Sequence, residues 1–257
     1  MFGYKFTRDP SSANPHFDSL AQPYFHRGGQ TGCLVLHGFT GTPANMRSVC
    51  EPLVESGYTV YAPLLTGHAQ TLQAMDGATH AIWLDDAARA YDALLDAGCS
   101  RIFVCGLSMG ALLGGLVASM SDAAGLVMMC APVKLRAELN LALALSPLAP
   151  FVTIENPPVY DPMAQGYPGM PARRIADIKK LSAALRERLE HIRCPVMIMQ
   201  ARHDKRVKLK SVDILSAGLS NAQSVEIRWF EHSPHGIPYG PERERAAQDV
   251  LRFVNAH

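Results

Sequence analysis

Short apolar runs alternate along this chain with longer segments in which apolar residues recur every third or fourth position. That alternation predicts a mostly parallel sheet with helices on both faces, an α/β architecture. The strand candidates are Cys33–Leu36, Tyr58–Tyr61, Arg101–Cys105, Gly125–Cys130, Pro195–Gln200 and Val225–Phe230. Between them lie helical segments at Pro43–Glu55, with Pro in its first turn, His80–Ala97, Ala111–Met120 and about Glu242–Val254. In His80–Ala97 the residues Ile82, Ala87, Ala90, Tyr91, Leu94 and Leu95 lie near the spacing that keeps one helix face in a core, and Gly98 stops the helix.

The alternation breaks down between Cys130 and Pro195. This Pro-punctuated, helix-like stretch is too long for an ordinary connection. It predicts a cap inserted over residues 133–193 with short helices of its own, a core formed by 31–132 and 194–257, and an N-terminal extension over 1–30. The cap segment Leu139–Val152 is dense in Leu, Ala and Pro, which suits the lining of an acyl pocket as well as ordinary packing against the sheet. Tyr160, Met163, Tyr167 and Met170 are further candidates to face such a pocket. Pro147 and Pro150 exclude a membrane-spanning helix there.

Composition narrows the function classes. With 257 residues and 48% hydrophobic content the chain can bury one large core. Its 24 basic and 23 acidic residues leave a net charge of +1 with no run of like charge, so nucleic acid is not an expected partner. Residues 1–29 hold no continuous apolar stretch and read as neither signal peptide nor membrane span. The six cysteines lack C-x-x-C spacing, which points to reduced thiols in a packed core and to a cytoplasmic protein.

Candidate chemistry concentrates at Gly106-Leu107-Ser108-Met109-Gly110, set between an apolar strand and a small-residue helix. That context fits a nucleophile elbow, where a sharp turn pushes the serine hydroxyl clear of the sheet and flanking glycines let strand and helix approach. A serine hydroxyl is a poor nucleophile at neutral pH, so a base must take its proton and an acid must orient that base. Chain order in such a fold is nucleophile, acid, base. His235, in the loop Ser233-Pro234-His235-Gly236 beyond the last strand, is the expected base, with His232 the fallback and His257 too near the terminus. Asp204, after the strand Pro195–Gln200, is the expected acid; Asp213 is a weaker substitute, and the competing role for Asp204 is to cap a helix starting near Lys205. Main-chain amides of Phe39 and Met109 are the expected oxyanion donors, the first from the loop His37-Gly38-Phe39-Thr40-Gly41-Thr42-Pro43. His37 itself reads as a packed, hydrogen-bonded residue. A metal site on His232 and His235 lacks the carboxylate pattern or H-E-x-x-H helix it requires.

Taken together, Leu34–Gly41, Gly57–Pro63, Gly67-His68, Gly106–Gly110, Met129–Pro132 and Gln200–Asp204 resemble the small bacterial carboxylesterases and monoacylglycerol lipases of the α/β-hydrolase superfamily. The resemblance covers most of residues 31–255 outside the cap. It implies a Ser108, Asp204, His235 triad, oxyanion donors at Phe39 and Met109, a small-molecule ester substrate, and no metal or organic cofactor. Another hydrolase or acyltransferase using the same serine, and a catalytically silent binding protein on the same fold, are the competing expectations.

Overall fold

The computed structural model describes residues 4–8, 17–135, 138–154 and 161–257. In chain order the elements are β1 (Tyr4–Thr7), β2 (Tyr24–His26), β3 (Thr31–Leu36), α1 (Arg47–Glu55), β4 (Thr59–Ala62), α2 (Leu72–Gly77), α3 (His80–Asp96), β5 (Arg101–Leu107) and α4 (Met109–Ala118). They continue with β6 (Gly125–Met129), α5 (Glu138–Leu145), β7 (Phe151–Ile154), β8 (Gly169–Pro171), α6 (Arg174–Arg188), β9 (Val196–Ala201), α7 (Lys210–Gly218), β10 (Val225–Phe230) and α8 (Arg243–Ala256).

A strand apolar at every position must be covered on both faces. β6 is such a strand, and β3, β5 and β9 come close, broken only by Thr31, Arg101 and Gln200; the four form the middle of a seven-stranded sheet ordered β10-β9-β6-β5-β3-β4-β2. All neighbours are parallel except β2, which runs antiparallel to β4 at the edge. Alternation along the strands divides the core: Leu34 and Leu36 of β3 join a cluster covered by α3, α4, α6 and α7, while Cys33 and Val35 join one covered by α1 and α8. α4 is buried along its whole length, which explains why its sequence has no polar face.

Departures from the sequence expectations have local causes. The helix expected from Pro43 begins as a 3-10 turn over Pro43–Met46 and becomes α-helical only at Arg47. β5 runs on to Leu107, directly into Ser108. The buried face of α3 centres on Trp83, fully buried with Ala87, Ala90, Tyr91 and Leu94, whereas Ile82 and Leu95 are 37% and 48% exposed. Trp83 wins the inward position because its large apolar surface gains most from burial and its indole Nε1 donates to Thr66 O at 3.0 Å.

Between β6 and β9 the chain forms α5, α6 and a three-stranded antiparallel sheet ordered β1-β7-β8. This sheet takes β1 from residues before the core, pairing Tyr4 with Ile154 and Thr7 with Phe151. α5 ends at Leu145, ahead of Pro147, and rests Ala142, Leu139 and Leu143 on Val152, Met170, Ala172 and Ile175. Leu141 and Leu148 point outward. No helix among the described residues is long and apolar enough to cross a membrane.

Candidate active site

Parallel strands end at one edge of the sheet, so loops following β5, β6, β9 and β10 meet there. Ser108 stands at the junction of β5 and α4, with φ +55° and ψ −115°, in a backbone conformation that L side chains rarely adopt. Close approach around it is what the flanking glycines permit. A Cβ on Gly106 would lie 2.2 Å from Gly110 O, and one on Gly110 would lie 2.3 Å from Leu36 O. The turn is further pinned by the Ser108 amide, which donates to Met129 O at 2.8 Å.

Asp204 and His235 are brought together directly. His235 Nδ1 donates to Asp204 Oδ2 at 2.7 Å, with both residues buried. Oδ2 also accepts from Gln200 Nε2 at 3.2 Å, and Oδ1 accepts the amides of Arg206 and Val207 at 2.7 and 2.9 Å. Burial works to raise the Asp204 carboxyl, but His235 and these amide donors outweigh it and hold the group down at about 2. With Nδ1 committed to the carboxylate, Nε2 of His235 is the free ring nitrogen. No hydrogen bond joins it to the Ser108 hydroxyl among the described residues. Such bonds are often long in unliganded enzymes and tighten with substrate.

Glu242 sets the course of the loop into His235. Its Oε2 accepts from the amides of His232 and Ser233 and from the Ser233 hydroxyl, each at 2.9 Å. Partial burial works to raise the Glu242 carboxyl; these donors and Arg245 outweigh it and hold it below the ordinary glutamate value. The alternatives weighed from sequence do not converge on the site. His232 is exposed, Asp213 is exposed on α7, and His257 closes α8. α7 begins at Lys210 with Leu209 at its N-cap, so Asp204 does not cap it.

The loop after β3 lies against the serine, since a Cβ on Gly38 would sit 3.4 Å from Ser108 Cβ. Among the described residues neither the Phe39 nor the Met109 amide has a backbone acceptor. His37 is fully buried, its Nδ1 donating to Gly38 O at 2.9 Å and its Nε2 accepting from the Leu65 amide at 3.2 Å. Burial pushes its pKa down to about 4, and His68, packed edge-on at 4.8 Å, is pushed well below the usual histidine value for the same reason. Both are neutral structural rings.

Cys130, Asp204 and His235 offer ligand atoms within 4.8 Å of one another. A metal there would need a thiolate. Burial, reinforced by the Asp204 charge, pushes the Cys130 thiol far up, and Gln200 Nε2 contacts its sulfur at 3.8 Å. His235 and Gln200 support Asp204 by hydrogen bonds, and Cys130 lies against Gln200. Gln200 and Cys130 were missed from sequence. A lone polar residue closing the apolar run Pro195–Gln200, and a cysteine at the end of a buried strand, were the available signals.

The model of the alpha/beta hydrolase family matches residues 33–250. The chain belongs to that family. This hydrolase is 30% identical over 245 residues to a thermostable monoacylglycerol lipase of Bacillus sp. (strain H-257), covering 93% of this chain and 96% of the relative. It is 28% identical over 236 residues to a carboxylesterase of Bacillus subtilis (strain 168), covering 91% and 96%. Among solved structures it is similar to one from the metagenome-derived lipolytic enzymes LipS and LipT, with a TM-score of 0.85 and 30% identity over 94% of this chain and 100% of that one. A monoacylglycerol lipase of Paleococcus ferrophilus, 16% identical with a TM-score of 0.71 over 92% of this chain and 99% of that one, shares the fold.

Proposed function

We propose that this hydrolase is a serine carboxylesterase, acting on esters of short to medium acyl chains through an acyl-enzyme on Ser108. The observation that carries the reading is the Asp204–His235 hydrogen bond, buried at the same sheet edge as the Ser108 turn, with His235 Nε2 left free. The carboxylesterase and lipase relatives support the ester substrate class.

Ser108 Oγ attacks the ester carbonyl carbon while His235 Nε2 takes its proton, and Asp204 stabilises the imidazolium. The carbonyl oxygen becomes an oxyanion held by the Phe39 and Met109 amides. Collapse expels the alcohol, which leaves with the proton from His235, and the acyl group stays on Ser108. Water then attacks the acyl-enzyme as His235 takes its proton, and a second collapse returns the free serine and the carboxylic acid. No step requires a metal or organic cofactor.

Residues 133–193 act as a cap over this edge in our reading. Phe39 packs against both Tyr167 with Phe151 and Met170 with Ile175, which supports an acyl site between cap and core. Met163 contributes its carbonyl to a core residue, and Tyr160 lies outside the described residues. Monoacylglycerol hydrolysis is the second reading, favoured by the lipase relative and by the apolar residues around Phe39. The six unbridged cysteines support a reducing, cytoplasmic setting.

The test is hydrolysis of p-nitrophenyl esters of increasing acyl length and of monoacylglycerols, with the wild type and Ser108→Ala side by side. We expect turnover that vanishes in the variant, with the optimum chain length separating esterase from lipase. Turnover that survives in Ser108→Ala would refute the mechanism.

A further inference from the structure

The turn that carries the Phe39 amide does not hold its shape alone. The Gly41 amide donates to Gly38 O at 3.1 Å and closes a four-residue turn with Phe39 and Thr40 at its centre. Thr40 has φ +69°, the left-handed region, which residues with a side chain rarely adopt.

The insertion supplies the hold. Thr40 O accepts the Tyr167 amide at 2.8 Å, Gly41 forms an antiparallel bridge with Gly166, and Thr42 Oγ1 donates to Gln165 O at 3.3 Å. Asn45 ties the two segments together. It is 5% exposed; its Oδ1 accepts the Thr42 amide at 3.1 Å, and its Nδ2 donates to Met163 O at 2.6 Å and Gln165 O at 3.0 Å. This partner set fixes the amide's orientation, because the reverse would set an oxygen against two carbonyls. Gly41 leaves the room for it: a Cβ there would come within 2.1 Å of Asn45 Oδ1. On the far side Gln165 is held by Asp18, with Nε2 donating to Asp18 Oδ1 at 2.5 Å and Oε1 accepting the Asp18 amide at 3.2 Å.

We propose that Asn45 is a positioning residue for the oxyanion hole: it binds insertion segment 163–167 to the strained turn and thereby aims the Phe39 amide. The inference rests on the serine mechanism proposed above. Asn45 does not touch substrate; it acts through the backbone of residues 40–42. Its effect falls on the transition state, where the oxygen carries most charge, and leaves ground-state binding nearly untouched.

The experiment compares the wild type, Asn45→Ala and Asn45→Asp for hydrolysis of p-nitrophenyl butyrate, with rates counted per active site titrated by a fluorophosphonate. Inhibition by butylboronic acid, whose tetrahedral adduct on the serine places an oxygen in the oxyanion hole, is measured alongside. Full loss of one oxyanion donor lowers kcat by about 10²–10³, so a misaimed donor should lower it by about tenfold in both variants with KM unchanged. The boronic acid Ki should rise by the same factor. Asn45→Asp keeps the acceptor for Thr42 and the side-chain shape, so it carries the test if Asn45→Ala fails to fold. Wild-type kcat per site in Asn45→Asp, or a lowered kcat with unchanged boronic acid affinity, would overturn the proposal. A Ser108→Ala enzyme that keeps its activity would instead remove the mechanism beneath it.

Discussion

Around Ser108 backbone packs on backbone, with Gly110 meeting the carbonyl of Leu36 and Gly106 meeting that of Gly110. The insertion is tied to the core by main-chain pairs at Thr40–Tyr167 and Gly41–Gly166 and, beyond these, by side chains. Asp177 of α6 accepts from His80 Nδ1 at 2.6 Å and pairs with Arg174 at 2.9 Å, while Asp76 pairs with Arg173 and, at 3.6 Å, with Arg174. The difference teaches where each region tolerates change. Backbone contacts admit no larger residue, so the serine turn has one solution. Side-chain ties are replaceable one at a time, so the insertion can drift in sequence more freely than the serine turn.

The harshest way to break that contrast is Gly110→Ala. Its methyl would be forced against the Leu36 carbonyl, and we expect a loss of at least about 4 kcal/mol, read as absent soluble protein or a collapsed urea midpoint. A well-folded Gly110→Ala would refute the steric account. Asp204→Asn should instead leave folding intact and lower kcat/KM by about 10⁴, because the neutral amide no longer holds the imidazole in the working tautomer. Circular dichroism and steady-state kinetics on one preparation check both halves.

On the insertion side, Asp177→Ala leaves Arg174 and His80 without their buried partner and should cost about 3 kcal/mol in urea unfolding. A cost near zero would mean that the insertion is held by its apolar contacts alone. The smallest effect is a slope. A histidine neutral in the fold down to about 4 binds fewer protons than its unfolded counterpart, whose pKa is 6.5. Stability therefore rises with pH across that window and its contribution is lost as pH falls toward about 4. His37→Asn should flatten the dependence of unfolding free energy on pH between 4 and 6.5, with His68 keeping part of the slope. An unchanged slope would contradict the buried neutral assignment.

What was legible in the sequence follows the same division. The serine turn, the strands leading to it and the positions of Asp204 and His235 are encoded locally, by an apolar strand running into a loop. The competition between Ile82 and Trp83 for the inner face of α3 was not legible, because adjacent apolar residues fit the same period and only packing decides. β7 and β8, of four and three residues, carry no periodicity, and their register depends on a strand far away in the chain. Asn45 could not be singled out because its partners are main-chain carbonyls at Met163 and Gln165, which leave no mark on side-chain pattern.

The pairing of Tyr4 with Ile154 has a consequence in time as well as in space. β1 precedes residues 151–154 by a long stretch of chain and waits for all of it before its partner exists. Closing so long a loop is entropically costly, and contacts of that span form slowly. The small sheet is thus a late product of folding: the parallel sheet that carries Ser108 can be laid down first, and β1-β7-β8 is completed only when its two distant segments find each other.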